Sequence, residues 1–531
     1  MRIQACIIAC IATVSMLAVP ARKGWQVKTM ADGSEVVVRQ VGDENDHYYE
    51  TKDGKIIETT EDGMRVSARR APVHPQRAPQ SIGDITFPPR GLVILVSFQD
   101  VRFAPENDSA AMWDLLNKPG YNYNGATGSA ADYFRDQSNG QYTPVFDVIG
   151  PVVLSQNRAY YGGNTYYNSR AGEWQDSLPR INKMVKEACD SVDAQVDFTK
   201  YVSNPAQPNR IDFVYVIYAG IGENDHNSDP ESIWPRRVSG VNITLDGKTL
   251  KDYACSGEIE GDTGLRNGIG TFCHEFGHVL GFPDYYDTNY GYNSDSILTP
   301  NCWSTMDQGS YNNNGKTPPN YSLFDKYYMG WLTPKVLEKD AQKNITMGTA
   351  YDDGYMITRN GAAAPYSTID TVYYIENRQQ SGWDEHVPYH GMLVWRVVYN
   401  ASAWKNNAPN NTEKKPRYTV VPAGPGHYIG SPGWCLNDAC TLVAYSEDNP
   451  FPGKGNVTSY IPWKGYAMTE ITETGGNIQL KLNGGDPSTG LENIQNSDVR
   501  SQKIIRDGQL YLMYEGKMYD VQGKKININH E

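Results

Sequence analysis

The spacing of apolar residues changes several times along this chain, and each change marks an expected element. A mostly apolar run from Ile7 to Val19 follows Arg2 and ends at Val19-Pro20-Ala21, which predicts a cleaved export signal over residues 1–21. From Arg22 to about Thr86, short alternating stretches such as Glu35 to Arg39 lie beside Asp32-Gly33 and Asp53-Gly54, both hairpin signals. This part closes on a Pro/Arg-rich connector, Arg69 to Arg77, so residues 22–87 are expected to be a propeptide-like domain with its linker. An ordinary N-terminal β module is the alternative. Gly91 to Phe98 is a near-continuous apolar run of the kind a central strand needs, and it opens a domain expected over 88–345. Helical spacing follows at Ala130 to Asp136 and at Trp174 to Asp190, the latter with Leu178, Ile181, Met184, Val185 and Ala188 on one face. Phe213 to Tyr218 reads as a second buried strand, and Gly268 to Gly281 as a helix and its end. Strands interleaved with helices call for an α+β fold, a mixed sheet with packed helices. After Pro334 the helical spacing fades. Tyr373 to Glu376, Gly391 to Val398, Arg417 to Val421 and Ile478 to Leu482 predict a β-rich, sandwich-like region over 346–486, and short apolar runs make a last module of 487–531.

Composition narrows the function classes. A formal net charge of −13 without a long Lys/Arg cluster argues against a nucleic-acid partner. The 13-residue run from Ile7 to Val19 is too short to span a bilayer, and nothing later approaches the ~20 apolar residues required, so no transmembrane segment is expected. Of the eight cysteines, Cys6 and Cys10 leave with the signal. The other six permit disulfides outside the cytosol, with Cys435 and Cys440 as the best local pair.

The chemistry concentrates at His274-Glu275-Phe276-Gly277-His278. On a helix this spacing sets two imidazoles one turn apart beside a carboxylate, the arrangement of a zinc site that activates water. A catalytic zinc takes three protein ligands and keeps one open position. No His occurs between His278 and His386, and no Glu between Glu275 and Glu338, so the third ligand is expected at Asp284, six residues past His278. Gly281 provides the left-handed turn that brings Asp284 back, and Asp287 is its rival. Glu275 is expected to act as general base and acid rather than as a ligand. Cys273 points about 100° away from His274 and is expected to be a buried core or disulfide thiol. These residues predict a Zn2+-dependent endopeptidase acting on protein or peptide substrates; the same chemistry directed at glycosylated, mucin-like substrates is a further alternative. A secreted adhesin or glycan-binding protein with a vestigial zinc site is the alternative from another class.

The stretch His274 to Asp287 resembles the zinc signature of the secreted immune inhibitor A type metallopeptidases, which are metzincin-like. Cys302-Trp303-Ser304-Thr305-Met306-Asp307 resembles that family's Met-containing turn, which implies that Met306 forms an apolar floor under the zinc. Pro318 to Ser322 and Gly330-Trp331-Leu332 resemble the following helix, and Gly91 to Asp100, Asp132-Tyr133-Phe134, Ile233-Trp234-Pro235, Tyr374 to Arg378 and Gly391 to Val398 also match. The resemblance covers roughly residues 88–485 and implies a zymogen, often with structural Ca2+. Two departures stand out: Ser203 to Pro208 replaces an Asp-rich, calcium-like loop, and Arg396 stands where relatives commonly have His. Residues 22–88 hold no cysteine, so a carboxylate or a folded-over segment would have to impose latency. Tyr311 is a candidate for steadying an oxyanion, as tyrosines do in some metzincins, with a structural role as the alternative. Ile504 to Tyr511 and Tyr519 to Lys524 resemble the C-terminal sorting modules of Bacteroidetes secreted proteins, which implies an extracellular or outer-surface location. The alternative is a final hairpin of the preceding β region.

Overall fold

The computed structural model describes residues 15–44, 46–60, 63–67, 83–163, 166–168, 173–175, 178–289, 299–412, 416–423 and 449–485, with short strands between Leu491 and Ile526. The Cys435–Cys440 pair, the Arg69–Arg77 connector and most of the expected signal lie outside the described residues.

A seven-stranded sheet carries the site. Lys248–Ile259, Val214–Ile221, Arg90–Ser97 and Val145–Val153 run parallel in that order, and Arg236–Leu245 lies antiparallel beyond the first of them. Arg90–Ser97 and Val214–Ile221 are almost wholly buried, as expected of strands covered on both faces. Leu178–Val192 is an amphipathic helix that buries Ile181, Met184, Val185, Ala188 and Val192. It starts four residues later than its apolar spacing predicts. Pro179 has no N–H and is tolerated only in the first helical turn, so the chain ahead of it cannot continue the helix; Glu173–Gln175 instead pairs with Tyr166–Asn168.

The helix that carries His274 and His278, Gly270–Leu280, is buried along its whole length. Phe272 and Phe276, one turn apart, pack onto Phe146, Phe213 and Tyr215 of the sheet region. His274 and His278 are offset by two residues, about 200° around the axis, and so face the opposite way.

Past Pro334 the chain forms two five-stranded sheets. In the strand Thr371–Arg378, Val372 and Tyr374 join the main core, whereas Tyr373 and Ile375 join a second core with Ile345, Met468, Ile478 and Leu480 of the other sheet. Both faces of that strand are therefore covered, which accounts for the unbroken apolar run from Val372 to Ile375.

Near the N-terminus, five antiparallel strands between Gln26 and Val66 make a small sheet. Two of its turns fall at the expected Asp-Gly pairs, with Gly33 at φ 82° and Gly54 at φ 76°. The tail strands Gln502–Arg506, Gln509–Tyr514, Lys517–Tyr519 and Lys525–Ile526 form a four-stranded antiparallel sheet. The four described cysteines, Cys189, Cys255, Cys273 and Cys302, are all free thiols. Among the described residues, no helix is long and apolar enough to cross a membrane.

Candidate active site

The helix ends where Gly281 adopts φ 114°, and its N–H caps the carbonyls of Gly277 and His278. The chain turns there and brings Asp284 back against the helix. His274 Nε2 lies 3.1 Å from Asp284 Oδ1, His278 Nε2 lies 3.2 Å from the same oxygen, and the two imidazole nitrogens are 3.2 Å apart. All three side chains are fully buried. Asp287 is not part of this group; its carboxylate accepts the backbone N–H of Asn289.

The imidazole tautomers follow from their outer partners. His274 Nδ1 lies 2.8 Å from the Thr305 carbonyl and His278 Nδ1 lies 2.8 Å from the Phe282 carbonyl. A carbonyl only accepts, so each Nδ1 carries a proton, and in its neutral form each ring turns an Nε2 lone pair toward Asp284 Oδ1. Three acceptors converging without a proton between them repel one another unless a cation sits among them. Ligands about 2.0–2.1 Å from a tetrahedral zinc would be separated by about 3.3–3.4 Å, close to the spacing found here. The donor set fits a divalent metal.

Burial pushes the His278 ring below its ordinary pKa, in keeping with a neutral ligand. Burial also opposes ionisation of Asp284, which falls below the carboxylate range only when the His278 and His274 rings beside it carry charge; between neutral rings a cation would have to take that part. Glu275 is pushed well above that range, first by burial and further by the charge of Asp284. Its Oε1 accepts the Val19 N–H at 2.9 Å, and its Oε2 is buried without a hydrogen-bond partner.

Outer contacts fix the group. Asn407 donates from Nδ2 to Asp284 Oδ2 at 2.5 Å and accepts the Asp284 backbone N–H at 2.6 Å. Met306 is fully buried beneath the helix, and a Cβ added at Gly277 would lie 2.7 Å from its sulfur.

A stretch of the chain itself crosses this site. Ser15–Leu17 pairs antiparallel with Arg237–Ser239 of the sheet's edge strand. Leu17, Ala18 and Val19 are fully buried. Tyr286 donates its hydroxyl to the Ala18 carbonyl at 2.6 Å, the Trp234 indole donates to the Val19 carbonyl at 3.0 Å, and Tyr311 donates to the Pro20 carbonyl at 2.6 Å. Glu275 thus faces the nitrogen of the Ala18–Val19 peptide bond while Tyr286 holds its oxygen. Tyr311, the sequence candidate for an oxyanion partner, meets the carbonyl two residues further on.

Residues 92–332 match the immune inhibitor A peptidase M6 catalytic domain. They form a metallopeptidase domain with a bound metal implied. Among curated proteins, this chain is 26% identical over 240 residues to immune inhibitor A of Bacillus thuringiensis subsp. alesti, covering 40% of this chain and 34% of that relative. It is 25% identical over 226 residues to the pre-pro-metalloprotease PrtV of Vibrio cholerae serotype O1 strain M66-2, covering 38% of this chain and 23% of the relative. The matched region therefore spans about a third or less of either relative's length.

Sequence reasoning missed Asn407 and Tyr286. Asn407 is 123 residues from Asp284 in an Asn-rich stretch with no motif of its own. Tyr286 sits inside the matched signature, but nothing in the pattern separates it from the 36 other tyrosines.

Proposed function

We propose that this protein is a secreted zinc-dependent endopeptidase in which His274, His278 and Asp284 hold the metal and Glu275 moves the proton. The observation that carries the reading is the convergence of His274 Nε2, His278 Nε2 and Asp284 Oδ1 within 3.2 Å of one another on the helix that also buries Glu275. Zinc, when bound, acidifies water and polarises the carbonyl to be attacked. The chain's own groups do the rest. The edge strand Arg236–Leu245 binds the substrate backbone in extended form, which gives affinity without dictating sequence. Tyr286 holds the carbonyl oxygen on which charge develops. Glu275 takes a proton through its buried Oε2 side and delivers it to the leaving nitrogen, which Oε1 already faces. Met306 supports the ligands from below.

The organisation that goes with this reading is a metzincin-like peptidase domain over 88–345 and a sandwich-like region over 346–486. An export signal (1–21) and a propeptide-like domain (22–87) precede them, and a sorting-like tail (487–531) follows. Casein hydrolysis by the exported protein, measured beside zinc content, tests the function. Glu275→Ala is expected to abolish hydrolysis while retaining about one zinc per chain. Unchanged hydrolysis in that variant would remove Glu275 from the chemistry, and an inert, zinc-loaded wild type would favour the adhesin with a vestigial site.

A further inference from the structure

Beyond Val19 the same segment continues into a second, charged pocket. Its backbone is held as far as Arg22: Gln308 donates to the Ala21 carbonyl at 3.0 Å, and the Arg22 N–H donates to the Asn224 carbonyl at 2.9 Å. The Arg22 guanidinium is buried, with 7% of the residue exposed. One of its terminal nitrogens, Nη1, bonds to Asp225 at 2.8 Å and also to Glu260. The other, Nη2, bonds to Asp262 at 2.8 Å and to Asn314 Oδ1 at 2.9 Å, and the Tyr311 ring lies 5.9 Å from the guanidinium carbon.

The protein fixes these acids independently of the arginine. Glu260 accepts from the backbone N–H groups of Asp262 and Thr263, and Asp225 accepts from the Gly261 N–H at 3.1 Å. Asp225 and Glu260 are 4% and 2% exposed, and both aim at the single nitrogen Nη1. Two buried carboxylates directed at one point need a cation there. All the walls come from residues between Asn224 and Asn314, within the peptidase match, so the pocket does not depend on the N-terminal segment for its construction.

We propose that Asp225, Glu260 and Asp262 form a substrate subsite that takes an arginine, and less well a lysine, at the fourth position on the leaving-amine side of the cleaved bond. The register follows from the contacts in the cleft. Glu275 marks the Ala18–Val19 bond, so Val19, Pro20, Ala21 and Arg22 occupy the first four positions after it. Arginine is preferred over lysine because its planar fork engages Asp225 and Glu260 with one nitrogen and Asp262 and Asn314 with the other. This inference rests on the peptidase reading above and adds a specificity to it.

The test uses quenched fluorescent peptides spanning Ser-Met-Leu-Ala-Val-Pro-Ala-Arg, with norleucine or glutamate replacing the arginine. The exported chain, from which residues 1–21 are expected to be removed, is assayed with and without limited trypsin treatment followed by trypsin inhibition, and casein is run in parallel. The arginine peptide is expected to show a kcat/KM about 10-fold or more above the norleucine peptide, and further above the glutamate peptide. Glu260→Lys is expected to reverse the order of the arginine and glutamate peptides. Asp262→Lys, at a position 40% exposed, is expected to shift that ratio in the same direction and serves should the buried change prevent folding. Equal rates for all three peptides alongside casein cleavage overturn the subsite and leave the peptidase standing. No cleavage of casein or of any peptide by zinc-loaded protein overturns both.

Discussion

Removing the Asn407 side chain tests how the metal site is held, because that side chain is the protein's grip on the far oxygen of Asp284. Asn407→Ala deletes the 2.5 Å bond to Oδ2 and the 2.6 Å bond from the Asp284 N–H. A hydrogen bond to a charged group contributes about 1.5–3 kcal/mol, and one between neutral groups about 1 kcal/mol. Asp284 is fully buried, so solvent cannot readily replace the lost donor. Part of that cost falls on the metal-free protein as well, because Asp284 is buried there too. The share that appears in metal affinity is therefore smaller than the sum, and a loss of about 10- to 100-fold is expected, equivalent to about 1.4–2.7 kcal/mol. Competition titration of zinc against a chromophoric chelator measures it, with circular dichroism to show that the variant is folded. A folded variant that binds zinc within twofold of the wild type would refute the idea that Asn407 orients the third ligand.

Three further outcomes are expected. Tyr286→Phe removes the hydroxyl that contacts the Ala18 carbonyl, and kcat for peptide hydrolysis should fall about 100-fold with KM little changed; an unchanged kcat removes Tyr286 from the charge-stabilising role. Gly277→Ala drives a methyl group to within 2.7 Å of the buried Met306 sulfur, so urea unfolding should show a loss of about 1–3 kcal/mol, and a loss below about 0.5 kcal/mol would mean that the Met turn yields freely. Burial raises Asp325 to about 6, although it accepts hydrogen bonds from Tyr285, Tyr418 and the Ser322 N–H. The folded state then keeps a proton that the unfolded state releases. Between about pH 4 and pH 6 this carboxyl alone lowers stability by about 3 kcal/mol as pH rises, a slope that urea titrations of the wild type should show and Asp325→Asn should lack.

What the sequence made legible was local. The pairing of His274 with His278 lies within one helical turn, and the return of Asp284 depends on a glycine three residues before it, so spacing alone brought these residues into one hypothesis. The main strands were legible for the same reason, since burial on both faces leaves the apolar runs Gly91–Val96 and Gly391–Trp395. Long-range pairing left no such trace. Asn407 reaches the site from a β-rich region whose position depends on the packing of Tyr374 and Trp395 into the main core. Ser15–Leu17 reads as part of an apolar run; its strand conformation comes from the unpaired groups of an edge strand more than 200 residues away. The acidic pocket gathers Asp225, Glu260 and Asp262 from two loops, and none of the three stands out in a chain with 61 acidic residues.

The proposed chemistry requires three side chains that form an open metal site. Zinc K-edge X-ray absorption on the exported protein tests this most directly. The expected first shell is two imidazole nitrogens and one carboxylate oxygen at about 2.0–2.1 Å with one further light atom, and it should lose one imidazole in His278→Ala. A sulfur scatterer near about 2.3 Å, a shell closed by four protein ligands, or a spectrum unaffected by His278→Ala would contradict it.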